Sequence, residues 1–306
     1  MKIEALQKEI IRLKKETDTC ILAHAYQNHE ILEVADFVGD SYGLSIQARS
    51  VSNKNILMSG VRFMAETVKL LSPEKRVILA NEAAGCPMAE QVEPELLETA
   101  KRKYPEYTFV CYINTTAELK ALCNVCVTSS VAKEVVEKIE NNKIFFLPDA
   151  QLGAWIRDQI PNKDFLMWHG GCSTHLRIRK EDMERARNLH PSAEILVHPE
   201  CAPEIVKKAD FVGSTTAIMD YARKSSTKQF VIGTENSIVN HLQLDCPDKL
   251  FFPLSRECVC HNMRVTTLGD IFHALKGEGG EEIVISKEIA LSATDCIKEM
   301  IRLQEK

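Results

Sequence analysis

Three cysteines close three similar stretches of the chain. Cys86 follows His24 by 62 residues, Cys172 follows Tyr112 by 60, and Cys260 follows His198 by 62. Three thiolates arriving from three directions suit three corners of a cubane cluster, because iron–sulfur clusters are held by cysteine thiolates. The fourth iron then has no protein ligand. An open metal position is a Lewis acid that binds a substrate oxygen and assists its loss. Zinc is the rival metal, with His175 as a fourth ligand. Any one of the three could be a buried structural thiol; three in phase argue for a shared site. Cys123 and Cys126 have a C-x-x-C spacing, but a single such pair is weak, and Cys126 falls inside an expected strand. That pair is read as structural, and Cys20, Cys111, Cys201, Cys246 and Cys296 receive no role.

The same phase governs residues suited to acid–base work and to anion binding. His24, Tyr112 and His198 are each followed seventeen residues later by a hydroxyl: Ser41, Ser129 and Thr215. The third stretch spells Ala209-Asp210-Phe211-Val212-Gly213, matching Ala35-Asp36-Phe37-Val38-Gly39 letter for letter. In open α/β sheets ligands bind outside the carboxyl ends of the strands. Those ends are expected to present His24 with Tyr26, Tyr112 with Asn114, and His198 with Glu200. Residues two apart on a strand share a face. The hydroxyls fall next to expected helix N-termini, where they either cap the helix or hold an anion with the free backbone N–H groups. Three at matching register favour a shared anionic ligand. His29, His169, His190, His241 and His273 are read as structural, and His175 stands between the two readings.

These side chains need elements to place them, and self-similarity at a fixed period makes the repeat the natural frame. Short apolar, β-branched runs alternate with helical stretches. The first unit has strands at Cys20–His24, Asp36–Val38, Ile56–Met58 and Val77–Ala80. The second has Thr108–Tyr112, Val125–Val127, Ile144–Leu147 and Phe165–Trp168. The third has Ile195–Val197, Phe211–Val212, Phe230–Ile232 and Leu250–Phe252. Strand–helix alternation means parallel sheets with helices on both faces. The expected fold is therefore α/β: three similar αβα domains about a pseudo-threefold axis, with the active site at their junction. The expected boundaries are 1–86 with an N-terminal helix over Met1–Thr17, 87–172, 173–265, and a helical tail at 266–306. Helices at Glu93–Arg102 and Lys180–Asn188 read as linkers. The helix after the first unit's second strand is expected at Ser45–Ser50.

Composition is that of an ordinary globular protein. The 306 residues are 45% apolar and 26% charged, with a net charge of −5. No basic run argues for nucleic acid, and no apolar stretch approaches the roughly 20 residues that span a bilayer. The N-terminus lacks a signal peptide's apolar core, so a cytoplasmic location is expected. Eleven cysteines, an odd and scattered set, suit buried thiols plus a metal site better than a disulfide framework. G-x-x-x-x-G-K-[ST], G-x-G-x-x-G and G-x-S-x-G are all missing.

The ordered motifs resemble those of the quinolinate synthase A family over essentially the whole chain. They are Ala23-His24-Ala25-Tyr26-Gln27, Gly39-Asp40-Ser41, Gly60-Val61-Arg62-Phe63-Met64-Ala65-Glu66, Ala84-Gly85-Cys86 and Tyr112-Ile113-Asn114. They continue through Thr128-Ser129-Ser130, His198-Pro199-Glu200-Cys201, Gly213-Ser214-Thr215, Ile232-Gly233-Thr234-Glu235 and Cys260-His261-Asn262-Met263-Arg264. The resemblance implies one 4Fe–4S cluster per chain on Cys86, Cys172 and Cys260. It implies condensation of iminoaspartate (iminosuccinate) with dihydroxyacetone phosphate to quinolinate, phosphate and water, in NAD biosynthesis from aspartate. Functional coupling to an L-aspartate oxidase or dehydrogenase follows, with no nucleic-acid or membrane partner. The substrate positions it implies are His24, Ser41, Tyr112, Ile113, Asn114, Ser129, His198, Pro199, Glu200 and Thr215. Tyr26, His198, Glu200 and His24 are the implied proton-transfer residues. The alternative is another cluster-dependent hydro-lyase acting on a small carboxylic acid. Cys258, two residues before Cys260, is an extra thiol; the spacing alone does not choose between them, whereas the family motif chooses Cys260.

Overall fold

The computed structural model describes residues 2–305; Met1 and Lys306 lie outside it. Three sheets carry the chain. The first holds β1 (Thr19–His24), β2 (Phe37–Gly39), β3 (Asn55–Ser59) and β4 (Arg76–Leu79). The second holds β5 (Thr108–Tyr112), β6 (Val125–Val127), β7 (Lys143–Leu147) and β8 (Asp164–Met167). The third holds β9 (Glu194–Val197), β10 (Phe211–Val212), β11 (Gln229–Gly233) and β12 (Leu250–Pro253). All pairings among these twelve are parallel, and the order is the same each time: β2-β1-β3-β4, β6-β5-β7-β8 and β10-β9-β11-β12. Each sheet thus reverses its winding beside its first strand, and the crevice at such a switch point is where open α/β sheets take ligands. The α/β class with helix-flanked parallel sheets is as the sequence predicts.

The repeat is written in polar contacts as well as apolar ones. Asp36, Asn124 and Asp210 each stand before the second strand and accept the backbone N–H of the first: Ile21, Phe109 and Ile195, at 2.8, 2.8 and 2.7 Å. Lys75, Lys163 and Lys249 are buried and spend their ammonium groups on backbone carbonyls. Lys75 reaches Val51 and Asn53; Lys163 reaches Ile139 and Asn141; Lys249 reaches Ala222, Arg223 and Ser225. A buried ammonium is tolerable only with such partners, so these lysines lock the loops beneath the strands.

Two compact units emerge. The first comprises residues 1–90, 113–122 and 261–296, and the second 91–112, 123–260 and 297–306. In the first, Ile10 of the helix Ile3–Glu16 packs with Ile21, Ala23, Leu57 and Ile78. Leu268, Ile271, Ala274 and Leu275 of the helix Leu268–Lys276 complete that core. Gly277 ends the latter helix at φ 73°, left-handed backbone that favours glycine. The sequence did not suggest β13 (Glu281–Glu282), which pairs antiparallel with β4. Two residues give no periodic signal, and Arg62 and Arg76 hold them through Glu281 and Glu282.

In the second unit, Met183 and Ala186 of the helix Lys180–Leu189 are buried with Ile195, Val197, Val231 and Leu254. That helix is part of the core rather than a linker. Cys111 and Cys126 are register partners on neighbouring strands and both are buried, which suits a structural role. The helix expected at Ser45–Ser50 begins four residues earlier, at Ser41, because Asp40 caps it by accepting the Gly43 N–H at 2.8 Å. The polar first turn Ser41-Tyr42-Gly43 hides that start from an apolar pattern.

Candidate active site

The second unit gathers a buried polar network around Glu200. β5 ends on Tyr112, and β9 ends one residue before His198, so the turn His198-Pro199-Glu200 leaves the sheet at a strand's carboxyl end. His198 and Glu200 meet through this turn, not as neighbours on one strand face as the spacing suggests. The Glu200 N–H donates to His198 Nδ1 at 3.3 Å and the Cys201 N–H to the His198 carbonyl at 3.0 Å. Glu200, His198, Pro199 and Tyr112 are all buried.

His175 completes the group. It lies in the short 3-10 turn His175–Arg177 after Cys172, and its ring stacks on His198 with centroids 4.8 Å apart. Its Nδ1 stands 2.9 Å from Glu200 Oε2 and 3.3 Å from Cys172 Sγ, while Nε2 lies 2.9 Å from the Thr234 hydroxyl. Beside an ionised carboxylate, Nδ1 carries the hydrogen. On the other side Tyr112 donates its hydroxyl to Glu200, and Ser129 donates to Tyr112.

Burial alone pushes the Glu200 carboxyl up. The charges of His198 and His175 and the hydrogen bonds from His175 and Tyr112 outweigh it, leaving the group at about 2. Burial, then the Glu200 charge, pushes the Tyr112 phenol well above its ordinary value. The network is thus an anion flanked by a phenol that stays protonated and by two stacked imidazoles. Such a set can take up and return protons while excluding water.

The other expected residues of this unit are placed as follows. Thr215 is the first residue of the helix Thr215–Lys224 and is buried; Ser214, not Thr215, caps that helix by accepting the Ala217 N–H at 3.2 Å. Ser129 lies in the turn before the helix Ala132–Lys138, which has no side-chain cap. Cys172 and Cys260 are half-buried in loops after β8 and β12, whereas Cys258 is fully buried among the Ile195 and Leu254 side chains. The segment from Cys258 to Cys260 is not a strand, so the alternation of a strand does not govern where the two thiols lie.

In the first unit the turn after β1 repeats the turn after β9. The Tyr26 N–H donates to His24 Nδ1 at 3.1 Å, and the two rings meet edge to face at 4.5 Å. Gln27, fully buried, ties this turn to the Met263 carbonyl at 2.6 Å and accepts from Ser59 at 3.2 Å. Ser41 opens the helix Ser41–Ser50, half-exposed, with Asp40 as its cap. Ile113 and Asn114 lie beyond the end of β5, Ile113 buried and Asn114 half-buried. Cys86 is half-buried in the loop after β4.

Reading the sequence missed Asp149, Thr234 and Glu235, all fully buried, and left His175 undecided. The repeat held the signal for two of them. Asp149 and Glu235 occupy one repeat position, at the start of the helix after the third strand. An open groove lined by Tyr104, Phe145, Trp168 and His169 contains none of the site residues.

Cys172, His175 and Glu200 present one sulfur, one nitrogen and one oxygen within 4.8 Å of one another, a group able to hold a metal ion. Among the described residues no helix is long and apolar enough to cross a membrane. A family model described as "Quinolinate synthetase A protein" matches residues 8–302. The chain is 46% identical over 303 residues to a quinolinate synthase of Caldicellulosiruptor bescii, covering 99% of this chain and 100% of that one. It is 44% identical over 299 residues to a quinolinate synthase of Clostridium kluyveri, covering 98% of each. It is also 44% identical over 296 residues to a quinolinate synthase of Thermodesulfovibrio yellowstonii, covering 97% of each. The chain belongs to the quinolinate synthase A family and is an enzyme of that kind.

Proposed function

We propose that this enzyme condenses iminoaspartate with dihydroxyacetone phosphate, giving quinolinate, phosphate and water, as a cytoplasmic step of NAD biosynthesis from aspartate. The observation that carries the reading is the buried Tyr112–Glu200–His175 network abutting Cys172. The proposed cofactor is one 4Fe–4S cluster per chain on Cys86, Cys172 and Cys260. The donor set fits it. These three thiols are half-buried in loops, as is Cys246, which is out of phase with the repeat, while Cys20, Cys111, Cys123, Cys126, Cys201, Cys258 and Cys296 are shut inside. When bound, the cluster supplies a Lewis acid for a departing substrate oxygen.

The chain's own residues handle protons and charge in this reading. Glu200 receives a proton at a carboxylate oxygen and His198 or His175 relays it. Tyr112 donates through its hydroxyl, and Tyr26 and His24 serve the second acid–base pair. Ser41, Ser129, Thr215 and Asn114 hold the dicarboxylate and the phosphate, with the backbone at Ile113 and Pro199 shaping the site. The three repeats, 1–86, 87–172 and 173–265, with the tail 266–306, are proposed as the domains that deliver these residues. An L-aspartate oxidase or dehydrogenase is the proposed source of iminoaspartate.

Zinc on Cys172, His175 and Glu200 is a second reading, favoured by the mixed donors. The 2.9 Å between His175 Nδ1 and Glu200 Oε2 counts against it. That is hydrogen-bond distance, whereas two ligands about 2.0 Å from a tetrahedral zinc stand about 3.3 Å apart.

Purification without oxygen tests the reading. The expected protein is brown, holds about four irons per chain and forms quinolinate from the two substrates. Stoichiometric zinc in a colourless, active protein overturns the cluster. Iron-loaded protein that dehydrates another small carboxylic acid and makes no quinolinate favours the hydro-lyase alternative.

A further inference from the structure

Each of the three in-phase cysteines has its backbone N–H taken by a carboxylate. The Cys86 N–H donates to Glu90 Oε1 at 2.9 Å, the Cys172 N–H to Asp149 Oδ2 at 3.1 Å, and the Cys260 N–H to Glu235 Oε1 at 3.4 Å. We propose that Glu90, Asp149 and Glu235 are positioning residues, one per repeat, that set the cysteine loops for the iron–sulfur centre and keep those N–H groups away from its sulfurs. The proposal rests on the cluster reading above.

Two of the three are braces between a helix and a loop. Asp149 caps the helix Ala150–Gln159: its Oδ1 accepts the N–H groups of Gln151 at 2.9 Å and Leu152 at 2.8 Å, while Oδ2 is left for Cys172. Glu235 does the same before the helix Ser237–Asp245. Its Oε2 accepts the Ser237 N–H at 2.8 Å and the Ser237 hydroxyl, and Oε1 turns to Cys260. Both carboxylates are fully buried. A buried carboxylate is costly unless its oxygens are satisfied, and here the cysteine loop supplies part of that satisfaction.

The first repeat meets the same need differently. The position equivalent to Asp149 and Glu235 is there Val61, and Glu90 reaches back to Cys86 from the far side of the loop. Its own N–H returns to the Cys86 carbonyl at 3.1 Å. Gly85 makes room: a Cβ there would meet Glu90 Oε1 at 2.9 Å. Two unrelated solutions to one contact argue that the contact itself is what the site requires.

The chemistry of the group gives the contact a purpose. Hydrogen bonds to the sulfurs are among the factors that set a cluster's reduction potential. An N–H held by a carboxylate cannot donate to sulfur, and the loop has its shape before metal arrives.

The test uses the full chain, iron-free and reconstituted, with Asp149→Asn, Glu235→Gln, Glu90→Ala and Glu90→Gln. Asn and Gln offer one acceptor oxygen. They cannot serve helix and loop together at 149 and 235, but Gln suffices at 90, where one oxygen does the work. In iron-free protein the Cys172 amide in Asp149→Asn and the Cys86 amide in Glu90→Ala should exchange hydrogen about fivefold faster or more, the scale of losing one hydrogen bond. After reconstitution both should lose iron to a chelator several-fold faster and show a raised cluster potential. Glu90→Gln should match wild type. Glu90 is exposed, so its variants keep the test valid if a buried variant fails to fold. Wild-type exchange, iron loss and potential in Glu90→Ala and in the folded buried variants overturn the proposal. A wild-type chain that takes up no iron sinks the cluster reading instead, and with it the redox half of the proposal, while amide exchange still decides the brace.

Discussion

The Tyr112 hydroxyl donates to the Glu200 carboxylate, and both side chains are buried. Their surroundings push the two groups apart in acidity: against burial, the His198 and His175 charges hold Glu200 at about 2, while burial and then the Glu200 charge push Tyr112 well above the ordinary phenol value. At neutral pH the carboxylate is ionised and the phenol protonated, so Glu200 is the acceptor and Tyr112 the donor of the pair.

Glu200→Gln should therefore fold and keep its iron but lose on the order of 10²–10⁴ in turnover. Glutamine keeps the shape and an acceptor for Tyr112, yet takes no proton. Iron content and single-turnover quinolinate formation check this. Near-normal turnover moves the proton-transfer role to His198 or Tyr26.

Ser214 caps the helix beginning at Thr215, and no side chain caps Ala132–Lys138, the helix after Ser129. Ser129→Ala and Thr215→Val should each weaken substrate binding by roughly 1.5–3 kcal/mol, and Ser129→Ala should also cost about 1 kcal/mol of stability, because it removes the donor to Tyr112. Ser214→Ala should spare binding and cost about 1 kcal/mol of stability. Calorimetric binding and urea melts separate the two. Equal substrate affinity in all three variants would leave these hydroxyls without a role in binding.

Much of this arrangement was legible because the repeat carries it. Seventeen-residue spacings from His24, Tyr112 and His198 marked the strand ends, and apolar runs marked the sheets. What stayed hidden was made by turns. Glu200 reaches His175 because the chain turns after β9, a geometry that side-chain alternation does not encode. Asp149 and Glu235 look like ordinary helix-start residues until their second oxygen is located. The pair β4–β13 depends on Arg62 and Arg76 holding two glutamates that are distant in sequence.

Lys249 serves three carbonyls, those of Ala222, Arg223 and Ser225. Lys249→Met keeps the apolar stem and leaves those acceptors without their donor. The expected loss is about 3 kcal/mol, since each unsatisfied buried group costs about 1–3 kcal/mol and water re-enters part of the gap. Urea unfolding measures it. A loss under about 0.5 kcal/mol, the range of an ordinary surface change, would show that the carbonyls find other partners.

Cys258 and Cys260 differ in burial, and thiol chemistry can read the difference. Cys258 is fully buried in the core with Ile195 and Leu254, while Cys260 is half-buried. Burial, then the nearby Glu235, pushes the Cys258 thiol far above its ordinary value; burial likewise pushes Cys20 up to about 12. A raised thiol pKa means the neutral form persists as pH rises, and only the thiolate reacts with alkylating agents. Iron-free protein at pH 8 should therefore be alkylated at Cys86, Cys172, Cys246 and Cys260, with Cys20 and Cys258 protected until the chain unfolds. Reconstitution with iron and sulfide should protect the first, second and fourth of these but leave Cys246 reactive. Cys260→Ala should lose the cluster and all activity, and Cys258→Ala should keep its iron. Prompt labelling of Cys258 with Cys260 silent, together with full iron in Cys260→Ala, would reverse the assignment.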